Sequence, residues 1–261
     1  MIKFYRKIRQ NLLSEGKTSK YFKYAIGEIV LVVIGILIAL SINNWNQNLK
    51  NRDSERILLT NIQNDISLDT LDLNFNNALH KKALKSQIRL LRFLDKDPTI
   101  NSDSINYSDV LPPKLIVVIH KASFNNMTYN NPDLIRNKDL KKKIDRNYDY
   151  FYPSLIEAQN NQTEYNFYAK ILPYYKKYFK TNGSVAEFDQ EAYGNEEFYN
   201  DRFYRNVLQP IDVHLLQNDR EFAIELSEAI FLRSALISMY DNALTRIKTL
   251  HRDIDIELDR K

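Results

Sequence analysis

The sequence predicts an all-α fold: an N-terminal amphipathic helix, one transmembrane helix, and an extracytoplasmic bundle of about three long helices with irregular connections. Three observations lead there. A 19-residue apolar run, Tyr24 to Ile42, follows a basic flank. Beyond it, apolar residues recur at intervals of three and four, not two. The 261 residues include only 5 glycines and 7 prolines, too few for the turns and close backbone approaches of a Rossmann domain or a β-propeller. With no cysteine in the sequence, disulfides, thiolate zinc sites, iron–sulfur clusters and cysteine nucleophiles are excluded.

Charge is placed unevenly. Residues 1–24 carry seven basic side chains (Lys3, Arg6, Lys7, Arg9, Lys17, Lys20, Lys23) against one acid, Glu15. Residues 46–261 hold 30 basic and 31 acidic residues. A domain so balanced argues against a nucleic-acid surface, and no nucleic-acid partner is expected.

Residues 1–17 read as a cytoplasmic amphipathic interfacial segment. On a helical wheel Ile2, Phe4, Tyr5, Ile8, Leu12 and Leu13 share one half. Lys3, Arg6, Lys7 and Arg9 fall mostly on the other, where they would meet anionic lipid. A basic flank without helical order is the alternative. Gly16 breaks the segment, and Thr18 or Ser19 can cap the helix that follows.

Residues 18–46 read as the transmembrane helix. Nineteen residues of helix span roughly 28 Å, close to the thickness of a bilayer core. Tyr21 and Tyr24 at one end and Trp45 at the other suit the two interfaces. The basic flank places the N-terminus in the cytoplasm and residues 47–261 in the periplasm of a bacterial inner membrane. Two other readings compete. Ile29–Leu40 is short enough for the apolar core of a cleaved signal peptide, with Ala39-Leu40-Ser41 as its cleavage site. Against that stand the long basic flank and the continuation of the apolar run upstream. The remaining reading, a buried core helix of a soluble protein, fits the basic flank and Trp45 poorly.

Within the span, Glu28 breaks the local rule. A carboxylate in lipid is costly and by default marks packing or coupling; the alternative is that it reaches the headgroups or pairs with Lys20 or Lys23. Gly35 and Ala39 form a small-xxx-small pair that lets two helices approach closely.

The stretch MIKFYRKIRQNLLSEGKTSKYFKYAIGEIVLVVIGILIALSINNWN resembles a family of uncharacterised single-pass membrane proteins, a domain of unknown function common in Bacteroidota. The YAIGEIVLVVIGILIAL-INNWN core carries the likeness; SFNNMTYNNPDLIRNKDLKKKI and the C-terminal helix carry it more loosely. Where the family usually has Tyr-x-x-Leu then Gly, this chain has Tyr129-Asn130-Asn131-Pro132-Asp133-Leu134. The resemblance implies an inner-membrane protein with a helical periplasmic domain. It implies no activity.

In the periplasmic domain, residues 47–261, Asp53 or Ser54 is expected to cap a helix starting near Glu55 and ending at Asp95-Lys96-Asp97-Pro98. Leu58, Ile62, Ile66, Leu73, Leu84, Ile88 and Leu91 form its apolar stripe; Leu68, Leu71, Phe75 and Ala78 form a second, predicting burial on two sides. A polar loop, 99–112, follows. The segment LIVVIHKASF after Pro113 has strand composition, yet a short helix is equally physical and is the expectation. Asn137 is expected to cap a segment 138–180, kinked or restarted at Pro153 and Pro173. Residues 185–217 read as irregular. Asp219 caps the last helix, whose stripe runs from Phe222 to Leu258.

No catalytic or ligand motif rises above chance, and no cofactor is expected. The four histidines (His80, His120, His214, His251) show no metal spacing. Asp253, Asp255, Glu257 and Asp259 match a calcium loop only in composition and read as a solvated helix face. The expected function is therefore a membrane-anchored periplasmic scaffold or interaction protein. Its expected partners are membrane lipid, further copies of itself and a second membrane or periplasmic protein. The alternative is a sensor or ion-coupled subunit of a membrane complex, acting through Glu28.

Overall fold

The computed structural model describes residues 18–110, 117–161, 167–181 and 208–260. The N-terminal segment with Lys3, Arg6, Lys7 and Arg9 lies outside them, as do the side chains of Tyr21 and Tyr24. The described residues are mostly helical. The chain divides into two units, residues 1–57 and 58–261.

The first helix, α1, is Thr18–Leu94, 77 residues without a break. No new helix starts at Glu55: Asp53 and Ser54 are good capping residues, but both sit inside α1. The end comes where the sequence predicts it. Asp97 N–H donates to Arg92 O (3.0 Å) and Lys96 N–H to Phe93 O (3.0 Å), with Lys96 at φ 61°. That pair of bonds is a Schellman stop, with lysine where glycine is usual, and Pro98 prevents resumption.

In the second unit, short helices follow: a 3₁₀ turn at Ser102–Ser104, α2 at Tyr107–Val110 and α3 at Ala122–Asn130. LIVVIHKASF is therefore not a short helix throughout. Residues 117–120 are irregular and alternate, Val117 buried and Val118 exposed, and helix begins only at Ala122. Asn137 caps α4, Lys138–Arg146, its side chain accepting from Leu140 N–H at 3.1 Å. A π-helical turn, Asn147–Phe151, follows, then α5, Tyr152–Asn161. Pro153 explains the turn. It has no N–H to continue the ladder, and the preceding Tyr152 N–H reaches back to Asn147 O, five residues away. Helix α6, Phe167–Tyr178, holds Pro173 inside it.

The expected helix to residue 180 stops early. Phe179–Thr181 (β1) pairs antiparallel with Leu208–Pro210 (β2), with Phe179 opposite Pro210 and Thr181 opposite Leu208. Proline is tolerated there because a two-stranded ribbon has a free edge. Helix α7, Val213–Gln217, replaces part of the expected irregular stretch. Helix α8 is Arg220–Leu258, capped by Asp219 through Phe222 N–H at 3.0 Å.

Contacts along α8 give the packing. Gln63 meets Asp255, Asn77 meets Asp241 and Gln87 meets Arg233, so α8 runs antiparallel to the part of α1 beyond Leu58. On the other side, Asn137 meets Glu257, Lys143 meets Asp253 and Lys170 meets Glu228. The segment from α4 to α6 thus follows α8 in one antiparallel register despite its interruptions. The acidic face at Asp253–Glu257 makes several of these contacts and is not simply solvated.

Two apolar cores result. One joins Leu58, Ile62, Ile66 and Leu73 to Tyr148, Tyr240, Ile247 and Ile254. The other joins Leu90, Phe93 and Leu94 to Tyr107, Tyr175, Phe222 and Leu226. The second predicted stripe of α1 is wrong: Leu68 is 47% and Leu71 58% exposed, while Asp69 is fully buried. Past Leu73 the buried stripe runs through Asn76, His80, Ala83 and Gln87, and Ile88 is exposed.

Candidate functional site

In the first unit, α1 has an 18-residue window of mean hydropathy 2.8, and none of it is buried within the chain. By length and composition this helix can cross a membrane. A core helix of a soluble domain would be covered, and this window is not covered by any described part of the chain. Glu28 is half-buried, Ala39 exposed and Trp45 66% exposed. A Cβ at Gly35 would meet nothing within 4 Å, so a larger side chain fits the single chain without strain.

In the second unit, polar side chains occupy the buried face of α1. They fall into two groups. Asp65, Asp69 and Asp72 lie at spacings of four and three, which brings their carboxylates to one side of the helix. Each takes a backbone N–H from the segment after Pro113: Asp72 from Val118 (2.9 Å), Asp69 from His120 (2.8 Å) and Asp65 from Ser123 (3.1 Å). These bonds explain why the 117–120 stretch is extended: its amides are held by carboxylates, not by a helical ladder. Ser123 N–H belongs to the first turn of α3, so Asp65 also caps that helix. The His120 ring adds a 2.9 Å contact to Asp69. Burial raises the pKa of Asp69, against the lowering effect of the His120 backbone and ring. The Tyr148 and Tyr152 hydroxyls are buried close to Asp69 but fall outside hydrogen-bond geometry. Burial, with the Asp69 charge behind it, raises the pKa of both.

The second group lies between the two apolar cores. Arg233 Nε donates to Gln87 Oε1 at 3.0 Å, and Arg233 Nη1 lies 2.9 Å from His80 Nδ1. Gln87 Nε2 donates to Val110 O at 3.0 Å. The His80 ring sits 5.3 Å from that of Tyr240. A guanidinium can only donate, so His80 Nδ1 must accept and its proton sits on Nε2. Burial first, and then the Arg233 charge, lower the His80 pKa to about 3. His80 is thus a neutral acceptor in this seam, and burial pulls Arg233 down to about 10. Nearby, Asn77 and Lys81 both donate to Asp241, each at 2.7 Å.

Neither group holds an activated nucleophile, and among the described residues no cluster of three or more His, Asp or Glu is placed to bind a metal. Their chemistry is the exchange of hydrogen bonds between elements distant in sequence. Sequence reasoning missed both groups. The available signal was an acidic i, i+4, i+7 series on a helix otherwise expected to bury that face. Glu28, Gly35 and Ala39 belong to the first unit, and the seam of His80, Gln87 and Arg233 belongs to the second.

An exposed apolar helix near the N-terminus and a mostly helical second unit define the class: a helical protein with, among the described residues, one candidate membrane span. Within it, residues 28–98 match a family of unknown function, DUF6090. The matched segment runs from Glu28 to Pro98, just past the Schellman stop of α1, and includes the three aspartates, His80 and Gln87. No curated protein and no solved structure matches the chain.

Proposed function

We propose that the chain is an uncleaved, membrane-anchored interaction protein of a bacterial inner membrane, with residues 1–17 on the cytoplasmic leaflet and 47–261 as a periplasmic helical bundle. Copies associate through the Gly35/Ala39 face, with Glu28 at the same interface. The observation that carries the reading is the uncovered 18-residue apolar window on α1. The bundle reading draws on α8, which has α1 beyond Leu58 on one side and the α4–α6 run on the other.

Two experiments test it. A periplasmic reporter fused after residue 60 is expected to be active and a cytoplasmic one inactive; the reverse result, or a mature N-terminus at Ile42, overturns the anchor. For assembly, cross-linking in native membranes compares wild type with Gly35→Leu, Glu28→Ala and Glu28→Gln. Gly35→Leu is expected to lose most of the cross-linked species, Glu28→Ala part of it, and Glu28→Gln least, because the amide still hydrogen-bonds. Interhelical hydrogen bonds in membranes contribute only about 0.6–2 kcal/mol, so close packing must supply the rest. Unchanged cross-linking in all three variants overturns the association.

A further inference from the structure

We infer that the groove between the π-helical turn and α8 is a docking site for an acidic segment of a partner protein. The groove encloses about 400 Å³, with Phe151 and Leu250 among its lining residues. Phe151 is half-buried and Leu250 buried, so the apolar floor is recessed between cations.

The Arg246 guanidinium lies 3.7 Å from the centre of the Phe151 ring and that of Arg146 5.2 Å from it. Among the described residues no carboxylate pairs with either arginine. Lys143 is a third cation in the groove, but it is held by Asp253 at 2.6 Å. Two guanidiniums gathered on one aromatic ring repel each other. Among the described residues no hydrogen bond engages the N–H groups of either guanidinium, which leaves them for an anion that would relieve the repulsion. The π turn creates this arrangement: it sets Phe151 one step out of α-helical register after Arg146.

The form of the groove selects the anion. A free phosphate binds best in a closed cage of converging donors. Here the Thr245 and Thr249 hydroxyls donate to Asp241 O and Thr245 O of α8 itself. What remains is two planar forks beside an apolar floor. That suits carboxylates, which arginine binds in bidentate fashion, interspersed with apolar or aromatic side chains that cover Phe151. A bilayer is a poorer match, since a recessed floor has nothing to insert. This inference rests on the reading of the chain as an interaction protein and names the chemistry of its partner.

The test uses the full chain in neutral detergent micelles. The probe is a fluorescent eight-residue peptide alternating Glu and Phe, with a Gln-for-Glu version beside it. The Glu peptide is expected to bind, to weaken as salt rises, and to lose about tenfold in affinity with Arg146→Gln or Arg246→Gln. Lys142→Gln, an exposed residue outside the groove, should leave binding unchanged. Equal affinity for the two peptides, or insensitivity to both arginine variants, overturns the site. So does displacement by inorganic phosphate at concentrations where the peptide itself binds, which marks a small-anion site. Preferential capture by phosphatidylglycerol vesicles, lost in the same arginine variants, overturns it in favour of lipid. The reporter fusions report on the anchor alone, so failure of that reading and failure of this one are told apart.

Discussion

Between pH 7 and pH 4 the second unit is expected to lose about 3 kcal/mol of stability through His80 alone, as its proton affinity differs between folded and unfolded chains. The folded pKa of about 3 lies below the ordinary 6.5, chiefly because the ring is buried, with the Arg233 charge adding to the effect. A histidine shifted in this direction favours the fold while neutral. Its contribution is complete above the unfolded pKa and is lost as pH falls from about 6.5 towards 3. Protonation would remove the acceptor at Nδ1 and set an imidazolium against a guanidinium 2.9 Å away. Other groups also titrate in acid. Asp69 and Asp72 have raised pKa values, mainly from burial; they take up protons more readily when folded and offset part of the loss. Asp219 has a lowered value: burial opposes the shift, but donation from Tyr178, Phe222 N–H and Lys177 outweighs it, so Asp219 adds to the acid loss. The comparison that isolates His80 is with His80→Gln, which keeps an acceptor for Arg233 and does not titrate. Urea unfolding of the full chain in micelles at pH 7 and pH 4 should show a smaller drop in the variant, by about the stated amount. Equal drops in the two proteins would show that His80 titrates normally.

How much of this was legible in the sequence follows a physical division. Features set by neighbouring residues read correctly: the apolar run, the caps at Asn137 and Asp219, the stop at Lys96–Pro98 and the interruption at Pro153. Features set by partners far along the chain did not. Asp69 is buried because His120, 51 residues away, supplies an N–H, and nothing within its own helix announces that donor. The same bonds overrule the local preference of LIVVIHKASF. Leu68 and Leu71 are exposed as a consequence, since a helix face given to carboxylates turns its apolar neighbours outward. Asp53 and Ser54 mislead in the other direction, because capping residues mark a helix start only where the chain before them is not already helical. The groove at Phe151 was equally hidden. Arg246 reaches that ring from α8, almost a hundred positions later, and no motif records such a pairing.

Replacing Gln87 by leucine is expected to destabilise the protein by about 3 kcal/mol. Gln87 is 1% exposed and makes two bonds of different kinds: it accepts from the Arg233 guanidinium and donates to Val110 O. Leucine fills a similar volume, so little of the loss is a cavity. The loss comes from a buried cation and a buried carbonyl that each forfeit a partner, and an under-satisfied buried charge is the costlier of the two. If that account is right, removing the whole group should cost less than removing one member. In a triple variant, His80→Leu with Gln87→Leu and Arg233→Met, no charge is left to solvate. Val110 O remains without its Gln87 donor, at about 1–2 kcal/mol. The freed layer then connects the apolar core around Tyr240 with the one around Phe222, and added apolar burial works against that residual loss. Chemical unfolding followed by circular dichroism should therefore rank wild type and the triple variant close together, with Gln87→Leu well below both. A triple variant less stable than Gln87→Leu would show that the seam contributes net stability. In that case the polar layer between the cores would be a structural asset rather than a feature the fold tolerates.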